Sequence, residues 1–250
     1  MSIAIDLTGR TALITGASSG LGARFGRILA ANGAKVALGA RRKDRLEALA
    51  AEIGDSAAAV AMDVASEAEI IAGFDAAEAA FGTVDTVIAN AGIDGAGMAL
   101  EVTEEEIERT LAINLKGAIL TAREGAKRMI AAGTPKGRIV MVASITAFEP
   151  SPGLVAYSAS KAGVKQAARS LAREWTRYGI CVNTISPGYI RTAINDAWFD
   201  TEPGRKQIAR FPKRRLMGEE ALDAPVLFLC SDAAEFVTGS DFVLDDGQTL

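Results

Sequence analysis

The chain has no histidine among its 250 residues. Histidine is the side chain that titrates near neutral pH and the commonest metal ligand in proteins. Its absence excludes a Ser-His-Asp triad, histidine-based acid–base catalysis and histidine metal sites. Any proton transfer must therefore use Tyr, Lys, Asp, Glu or Ser, and we expect no metal centre.

Cysteine is also scarce, since only Cys181 and Cys230 are present, far apart and without metal-ligand spacing. We interpret both as buried apolar side chains. Long hydrophobic runs are missing too: Ile139–Ala143 is among the longest and is far shorter than a membrane span. No basic, apolar leader opens the chain. We therefore expect a cytoplasmic protein with no membrane partner.

Basic residues are slightly fewer than acidic ones: 27 Lys and Arg against 31 Asp and Glu give a net charge of −4. This balance argues against a nucleic-acid partner. No Pro-, Ser- or Gln-rich linker divides the sequence. A chain of this length can bury about 70–75% of its unfolded surface without a disulfide or metal. We interpret residues 1–250 as a single domain.

Short apolar and β-branched runs alternate with longer segments of helical periodicity. Strands are predicted at Thr11–Thr15, Lys35–Ala40, Ala57–Asp63, Val84–Ala89, Gly137–Ser144, Ile180–Ser186 and Phe242–Leu244. Helices are predicted at Gly20–Asn32, Arg42–Ile53, Ser66–Phe81, Glu104–Ala132, Ala156–Tyr178 and Glu219–Cys230. Continuously apolar strands between helices indicate a parallel sheet covered on both faces. With right-handed crossovers, this is a single-domain, doubly wound α/β Rossmann fold with a seven-stranded sheet.

A glycine-rich turn follows the first predicted strand, with Gly16, Gly20 and Gly22 in the spacing G-x-x-x-G-x-G. This spacing differs from the general G-x-G-x-x-G fingerprint of dinucleotide-binding folds. Glycine permits positive φ and a close approach of phosphate, and the start of a helix favours an anion. The place of the turn within a βαβ unit favours a dinucleotide site over a purely structural turn.

The end of the second strand bears on the choice of cofactor. An acidic residue there would bind the ribose 2′-hydroxyl of NAD, but Ala40 is followed here by Arg41 and Arg42. Guanidinium groups suit a 2′-phosphate, so we predict NADP(H) as the preferred cofactor, with NAD(H) possible. Two solvated surface arginines are the alternative interpretation. Asp63, at the end of the third predicted strand, could hold the adenine edge.

Tyr157 and Lys161 lie four residues apart on a predicted helix, so both side chains project from one face. A lysine ammonium favours a nearby phenolate, so we expect Lys161 to lower the pKa of Tyr157. Ser144 ends the fifth predicted strand, where its hydroxyl can point into the cleft and bind a substrate oxygen. Alone, such a Tyr–Lys pair is common on ordinary helices.

Taken together, these motifs resemble the short-chain dehydrogenase/reductase family across essentially the whole chain. The resemblance rests on the glycine turn Thr15–Gly22, Asn90-Ala91-Gly92, Asn114, Ser144, Tyr157-x-x-x-Lys161 and Pro187-Gly188, in the family's order. It implies an enzyme that transfers a hydride between NADP(H) or NAD(H) and a carbonyl or alcohol. One departure is Asp245-Asp246-Gly247-Gln248 in place of the usual Asp-Gly-Gly, which affects local packing or subunit contacts.

The resemblance also implies individual roles. It makes Tyr157 the catalytic acid/base, Lys161 the residue that lowers its pKa and binds the nicotinamide ribose, and Ser144 the group that polarises the substrate carbonyl. Asn114, inside the long helix from Glu104, would support a water-linked proton relay to Lys161. The full set of expected cofactor contacts is Gly16, Ser18, Ser19, Gly20, Leu21, Gly22, Arg41, Arg42, Asp63, Val64, Asn90, Ala91, Gly92, Tyr157, Lys161, Pro187, Gly188, Ile190 and Thr192.

Position alone indicates the substrate pocket. Its expected lining is Asp94, Met98, Ser144, Ile145, Phe148, Tyr189, Trp198, Phe199 and Phe211. Because this set is largely apolar, we expect a medium-sized ketone or secondary alcohol. The segment 192–216 lacks a clear period and carries three exposed-looking aromatics, so we interpret it as a mobile cover over the pocket. Static packing on the body is the alternative.

Three other functions stay open. One is an NAD-dependent alcohol dehydrogenase working oxidatively, and another is a 3-oxoacyl-acyl-carrier reductase. The latter is less favoured because Tyr178 stands where such reductases often carry an arginine. The third, from another class, is a non-catalytic dinucleotide-binding sensor, which would not need Ser144, Tyr157 and Lys161. We expect a homotetramer, or failing that a dimer, that pairs the two long helices.

Overall fold

The protein was analysed as a computed structural model that describes residues 5–95, 97–134, 136–191 and 196–250. Its strands are β1 Thr11–Thr15, β2 Lys35–Ala40, β3 Ala57–Ala61, β4 Thr86–Ala89, β5 Gly137–Val142, β6 Ile180–Pro187 and β7 Asp241–Leu244. Its α-helices are α1 Gly20–Ala31, α2 Lys43–Ile53, α3 Glu67–Phe81, α4 Glu104–Leu111, α5 Ala118–Ala131, α6 Val155–Trp175, α7 Asp196–Phe199, α8 Glu202–Arg210 and α9 Asp223–Cys230. All seven predicted strands are therefore present.

The strands form one parallel sheet in the order β3-β2-β1-β4-β5-β6-β7. The chain begins at the centre with β1, moves outward to β3, and then returns to place β4 on the other side of β1. The direction of winding therefore reverses between β1 and β4. In open α/β sheets, this switch point opens a crevice at the carboxyl ends of the strands. The doubly wound prediction is confirmed.

Two apolar layers sandwich the sheet. Successive side chains of a strand point to opposite faces, so Leu13 packs with Phe74 of α3, whereas Ile14 packs with Phe25 of α1. α5 and α6 complete the first layer, and α2 and α9 complete the second. None of the described helices combines the length and the apolar character that crossing a bilayer requires.

The predicted helix Glu104–Ala132 is interrupted, which corrects the prediction. Residues Ala112–Gly117 form a π-helical turn between α4 and α5. A Cβ on Gly117 would lie 2.8 Å from the carbonyl oxygen of Val64, so the backbone is drawn close to the turn after β3. Tertiary contacts thus widen the helix where a regular α pattern was expected. Such π turns are frequent at functional sites.

The ends of two further helices also differ from the prediction. α6 ends at Trp175, and Thr176–Tyr178 continues it as a 3₁₀ turn up to the left-handed Gly179. The predicted helix Glu219–Cys230 starts with a 3₁₀ turn over Glu219–Leu222 and becomes α-helical at Asp223. Helix ends often tighten into 3₁₀ geometry, so these elements were identified correctly and only their ends were wrong.

The segment predicted to cover the pocket is more ordered than expected. Within its described part it forms α7 and α8. Phe199 and Phe211 are buried, whereas Trp198 keeps 48% of its surface exposed. Tyr189 stacks on Phe211 and meets Phe199 edge to face, with ring centroids 5.7 and 6.0 Å away. The expectation of three exposed aromatics is therefore wrong for two of them, because an aromatic cluster anchors the segment.

Candidate active site

The ends of β1 and β4 are bound together beneath the crevice. The Thr15 hydroxyl accepts the backbone N–H groups of Asn90 and Ala91, each at 3.1 Å, and the Asn90 amide donates to the Thr15 carbonyl at 2.9 Å. A Cβ on Gly22 would lie 2.4 Å from the Gly16 carbonyl oxygen. Only glycine therefore allows the turn to fold this tightly against Asn90.

The start of α1 is open to a ligand. Ser19 is the N-cap residue, but its side chain makes no capping hydrogen bond, and the first turn contains no acidic residue. Gly20 has a φ of +51°, and a Cβ there would meet nothing within 4 Å. The first N–H groups of a helix need a partner, and with the helix dipole they favour an anion. This glycine cradle fits the pyrophosphate of a dinucleotide.

A guanidinium lies beside this cradle. Arg42 donates from Nε and Nη2 to the Ser18 hydroxyl at 3.1 and 2.8 Å, and from Nη2 to the Ser19 hydroxyl at 2.8 Å. Arg41 turns the other way and lies 3.7 Å from the carboxylate of Asp63. The sequence predicts the same role for both arginines, but their side chains point to different partners. Of the two, only Arg42 contacts the glycine turn.

Lys161 is almost fully buried on α6, at 4% exposure, with Nζ 5.6 Å from the ring centroid of Tyr157. Its Nζ donates to the carbonyl oxygen of Val142, at the end of β5, at 2.8 Å. Burial lowers the pKa of Lys161 to about 8, because a desolvated ammonium is disfavoured. α6 therefore holds both residues on one face, as the spacing predicts.

Burial raises the pKa of Tyr157 to about 12, since a phenolate is also disfavoured away from water. A hydrogen bond with Ser144 opposes this change, while the charges of Tyr189 and Asp94 add to it. Lys161 is not among the groups that change the pKa of Tyr157 in the chain alone, so its expected effect on the phenol stays a prediction. Desolvation is the largest cause of the change, and Tyr157 holds its proton at neutral pH.

Ser144 lies two residues beyond the end of β5, where it caps the 3₁₀ turn Ile145–Ala147. Its Oγ accepts the backbone N–H of Thr146 at 3.2 Å and is 3.1 Å from the Thr146 hydroxyl. Because Thr146 occupies the acceptor side of this oxygen, the Ser144 proton is directed to a phenol or a ligand oxygen. Thr146 is absent from the site residues that the sequence predicts.

Asn114 lies in the π turn and joins three elements. Its amide donates to the Ile93 carbonyl and its Oδ1 accepts the Ile93 N–H, both at 2.8 Å. The amide also lies 3.2 Å from the Ser160 hydroxyl, which donates to the Tyr157 carbonyl at 2.6 Å. A Cβ on Gly92 would lie 3.3 Å from Asn114 Oδ1 and 3.5 Å from Lys161 Nζ. Asn114 and Lys161 thus face the same small space. Ser160 was not predicted.

The segment after β6 is held by the C-terminus. The Gln248 side chain accepts the Tyr189 N–H at 2.6 Å and donates to the Tyr189 carbonyl at 3.1 Å. A Cβ on Gly188 would lie 2.6 Å from Gln248 Oε1, so this contact requires glycine. Of the expected nicotinamide contacts, Pro187 ends β6, Gly188 and Ile190 lie in this segment, and Thr192 lies outside the described residues. Gln248 was missed because only the fold brings it here.

The predicted substrate residues separate into two groups. Asp94 and Tyr189 lie close enough to Tyr157 to raise its pKa by their charge, and the Tyr189 hydroxyl donates to Ser151 at 3.2 Å. Met98, Phe148 and Trp198 are exposed apolar side chains. Ile145 is buried, as are Phe199 and Phe211 behind Tyr189, so these three offer little surface to a ligand. Near Tyr157 the cleft is more polar than the sequence predicts.

Comparison with known proteins agrees with this architecture. The family model described as "short chain dehydrogenase" matches residues 10–203. A D-threitol dehydrogenase of Mycolicibacterium smegmatis is 38% identical over 98% of this chain and 94% of its own length. The match to that enzyme therefore extends well beyond the glycine turn.

Solved structures give the same result. A gluconate 5-dehydrogenase from Burkholderia cenocepacia in complex with NADP and tartrate superposes with a TM-score of 0.93 at 31% identity, covering 98% of this chain and 97% of that one. A 3-ketoacyl-(acyl-carrier-protein) reductase from Brucella melitensis complexed with NADH gives a TM-score of 0.90 at 35% identity, covering 98% and 100%. The chain thus belongs to the short-chain dehydrogenase/reductase family, whose members are NAD(P)-binding oxidoreductases that act on CH–OH groups.

Proposed function

We propose that this enzyme transfers a hydride between NADP(H) and a ketone or the corresponding secondary alcohol, with Tyr157 as its acid/base. The observation that carries the proposal is the meeting of Ser144, Tyr157 and Lys161 at the carboxyl edge of the sheet, beside an open glycine cradle. A protein that only binds a dinucleotide has no use for a buried lysine beside a half-buried phenol. This counts against a sensor without catalytic activity.

The preference for NADP(H) is supported by Arg42 and by the Ser18 and Ser19 hydroxyls. Arg42, just after β2, and the two hydroxyls of the glycine turn after β1 meet in one place and supply one cation and two polar groups where the ribose 2′ position is expected. A phosphate has oxygens for all three groups, whereas a 2′-hydroxyl has one. Complexes with NADP and with NADH both occur among the structural relatives, so preference has to be read from these residues.

In the proposed mechanism, a bound nicotinamide supplies or accepts the hydride. Tyr157 gives its proton to the substrate oxygen in reduction and takes it back in oxidation. Ser144 donates a hydrogen bond to that same oxygen. Such a donor, fixed in advance, stabilises charge that develops in the transition state, and one well-placed donor contributes roughly 2.7–4 kcal/mol.

Lys161 and Asn114 support this proton transfer without contacting the substrate oxygen. Lys161 places a cation near the phenol and would bind the ribose hydroxyls, while Asn114 faces the same space and would hold a water that connects Lys161 to solvent. We further propose that residues 192–216 cover the substrate, and that the enzyme is a cytoplasmic homotetramer, or failing that a dimer, paired through α4–α5 and α6.

The test is the Tyr157→Phe variant, with Tyr178→Phe as its control because Tyr178 is an exposed phenol outside the cleft. NADPH consumption is followed with a panel of neutral ketones and diketones. Removal of a general acid should lower kcat by roughly 10²–10⁴-fold, while NADPH binding, followed by fluorescence, changes little. If Tyr157→Phe loses cofactor binding and activity in parallel, Tyr157 is structural and the proposal fails.

A further inference from the structure

Asp94 brings a negative charge to the mouth of the reaction cleft. It follows Ile93 in the loop after β4, its side chain is exposed, and its charge acts on Tyr157. This side chain makes no hydrogen bond or ion pair with any residue that the structure describes. A carboxylate in such a position is available to a ligand.

The loop that carries Asp94 is fixed on both sides. Before it, the Ile93 backbone makes two hydrogen bonds of 2.8 Å with the Asn114 side chain. After it, the Gly97 N–H donates to the Gly153 carbonyl at 2.8 Å, in a short parallel bridge with Leu154. Between these points, a Cβ on Gly95 would lie 2.6 Å from the Thr110 hydroxyl, so the backbone lies against α4.

These attachments tie Asp94 to the same elements that position Tyr157. Leu154 directly precedes α6, which carries Tyr157 in its first turn, and Asn114 contacts Ser160 one turn later. Asp94 therefore keeps its place relative to the phenol. A side chain held in this way can recognise a substrate group with little loss of conformational freedom.

Two cations on elements that border the cleft, Lys165 of α6 and Arg191 after β6, have other partners. Lys165 lies 2.9 Å from Asp241 and 4.7 Å from the ring centroid of Phe148. Arg191 forms ion pairs with Asp196 and Asp200. Lys161 donates to the Val142 carbonyl, so none of these three cations forms an ion pair with Asp94. Asp94 therefore adds negative charge to the substrate end of the cleft.

We infer that Asp94 is a specificity-determining residue that selects neutral polyhydroxylated substrates over those that carry a carboxylate. A carboxylate accepts hydrogen bonds from substrate hydroxyl groups and repels a second carboxylate. The hydroxyls of Tyr189 and Ser151 add polar groups to the same cleft. This inference rests on the proposed function and narrows it, because an apolar ketone would not need Asp94.

The experiment compares three four-carbon alcohols with NADP⁺: threitol, threonate and 2-butanol. They represent a neutral polyol, its carboxylate counterpart and a simple secondary alcohol. The wild type should have a kcat/KM for threitol at least tenfold above that for either of the others. A hydrogen bond to a charged group accounts for roughly 10–100-fold. Raising NaCl from about 0.02 to 0.5 M should narrow the ratio of threitol to threonate, because salt screens the repulsion.

Asp94→Asn keeps the size of the side chain and removes its charge. The threitol-to-threonate ratio should fall by about tenfold or more and lose its salt dependence, while kcat/KM for 2-butanol stays within about threefold. Glu101→Gln is the matched control, since Glu101 is an exposed acid seven residues along the chain, and it should change none of these values.

The outcomes separate the two proposals. An unchanged ratio in Asp94→Asn, or equal losses with all three alcohols, would overturn the role of Asp94 while leaving the proposed function intact. Turnover of 2-butanol without turnover of threitol would overturn it as well. If the wild type oxidises none of the alcohols and reduces no neutral ketone, the proposed function itself fails, and this inference with it.

Discussion

Replacement of Lys161 by Met should abolish activity and yet make the protein more stable at neutral pH. Burial lowers the pKa of Lys161 from 10.5 to about 8. At 1.36 kcal/mol per pKa unit, the fold disfavours the ammonium by about 3 kcal/mol at a pH well below 8. Met removes this cost, but it also removes the 2.8 Å hydrogen bond to Val142, which contributes about 1.5–3 kcal/mol. The expected net gain is about 1 kcal/mol.

The stability difference between the wild type and Lys161→Met should depend on pH. Because the folded pKa of Lys161 lies below the unfolded one, the unfolded chain binds the proton more strongly between about pH 8 and 10.4. In that window, the Lys161 contribution to the free energy of unfolding of the wild type increases as the pH rises. The Met variant has no such contribution. The advantage of Lys161→Met near pH 6.5 should therefore disappear, and then reverse, above about pH 9.

The assay is thermal unfolding of the two proteins without added cofactor, at one protein concentration, at pH 6.5, 8.0 and 9.5. A gain of 1 kcal/mol corresponds to roughly 2–4 °C in Tm for a chain of this size. Lys127→Met is the control, because the Lys127 side chain is 74% exposed and its ammonium stays in water. If Lys161→Met is less stable than the wild type at every pH, by a constant amount, burial does not set the energetics of Lys161.

Two further predictions concern charged groups, one beside the glycine turn and one near the C-terminus. Arg42→Ala should lower the ratio of NADP⁺ to NAD⁺ in kcat/KM by roughly 10–100-fold, because the 2′-phosphate loses charge-assisted hydrogen bonds; an unchanged ratio would mean that Arg42 is only a surface residue. Asp246 has a φ of +55° and forms ion pairs with Lys213 and Arg215. In urea unfolding, Asp246→Gly should be nearly neutral, since relief of strain offsets the lost pairs, whereas Asp246→Ala should cost about 1 kcal/mol more; equal losses would show that the backbone there is unstrained.

Much of the fold could be predicted because the central strands are buried on both faces. β1 and β2 have the predicted bounds, since a parallel strand covered on both sides reads as a continuous apolar run bounded by turn residues. The glycine turn could be located for a related reason. At Gly16 and Gly22 a side chain would collide with the neighbouring backbone, so the tight turn requires glycine at both positions.

The interruption of the long helix could not be predicted, because its cause lies outside the helix. Residues Ala112–Gly117 keep an ordinary helical pattern in the sequence, and the π turn becomes visible only with its partners. Those partners are the Ile93 backbone for Asn114 and the Val64 carbonyl for Gly117. Phe199 and Phe211 were misjudged for a similar reason, since their burial depends on the position of the Tyr189 ring.

The pKa changes at Tyr157 and Lys161 show what a protein without histidine needs for proton transfer. In the chain alone, burial raises the pKa of Tyr157 to about 12 and lowers that of Lys161 to about 8, so at neutral pH the phenol keeps its proton while Lys161 is still mostly an ammonium. Neither can serve as a strong base or a strong acid at neutral pH in that state. A ligand that brings positive charge into this dry space favours the phenolate of Tyr157, whereas ligand oxygens that accept hydrogen bonds favour the ammonium of Lys161; both effects are strong because the surrounding dielectric is low. The same burial that disfavours these charges in the chain alone therefore strengthens every interaction that a bound ligand makes with them.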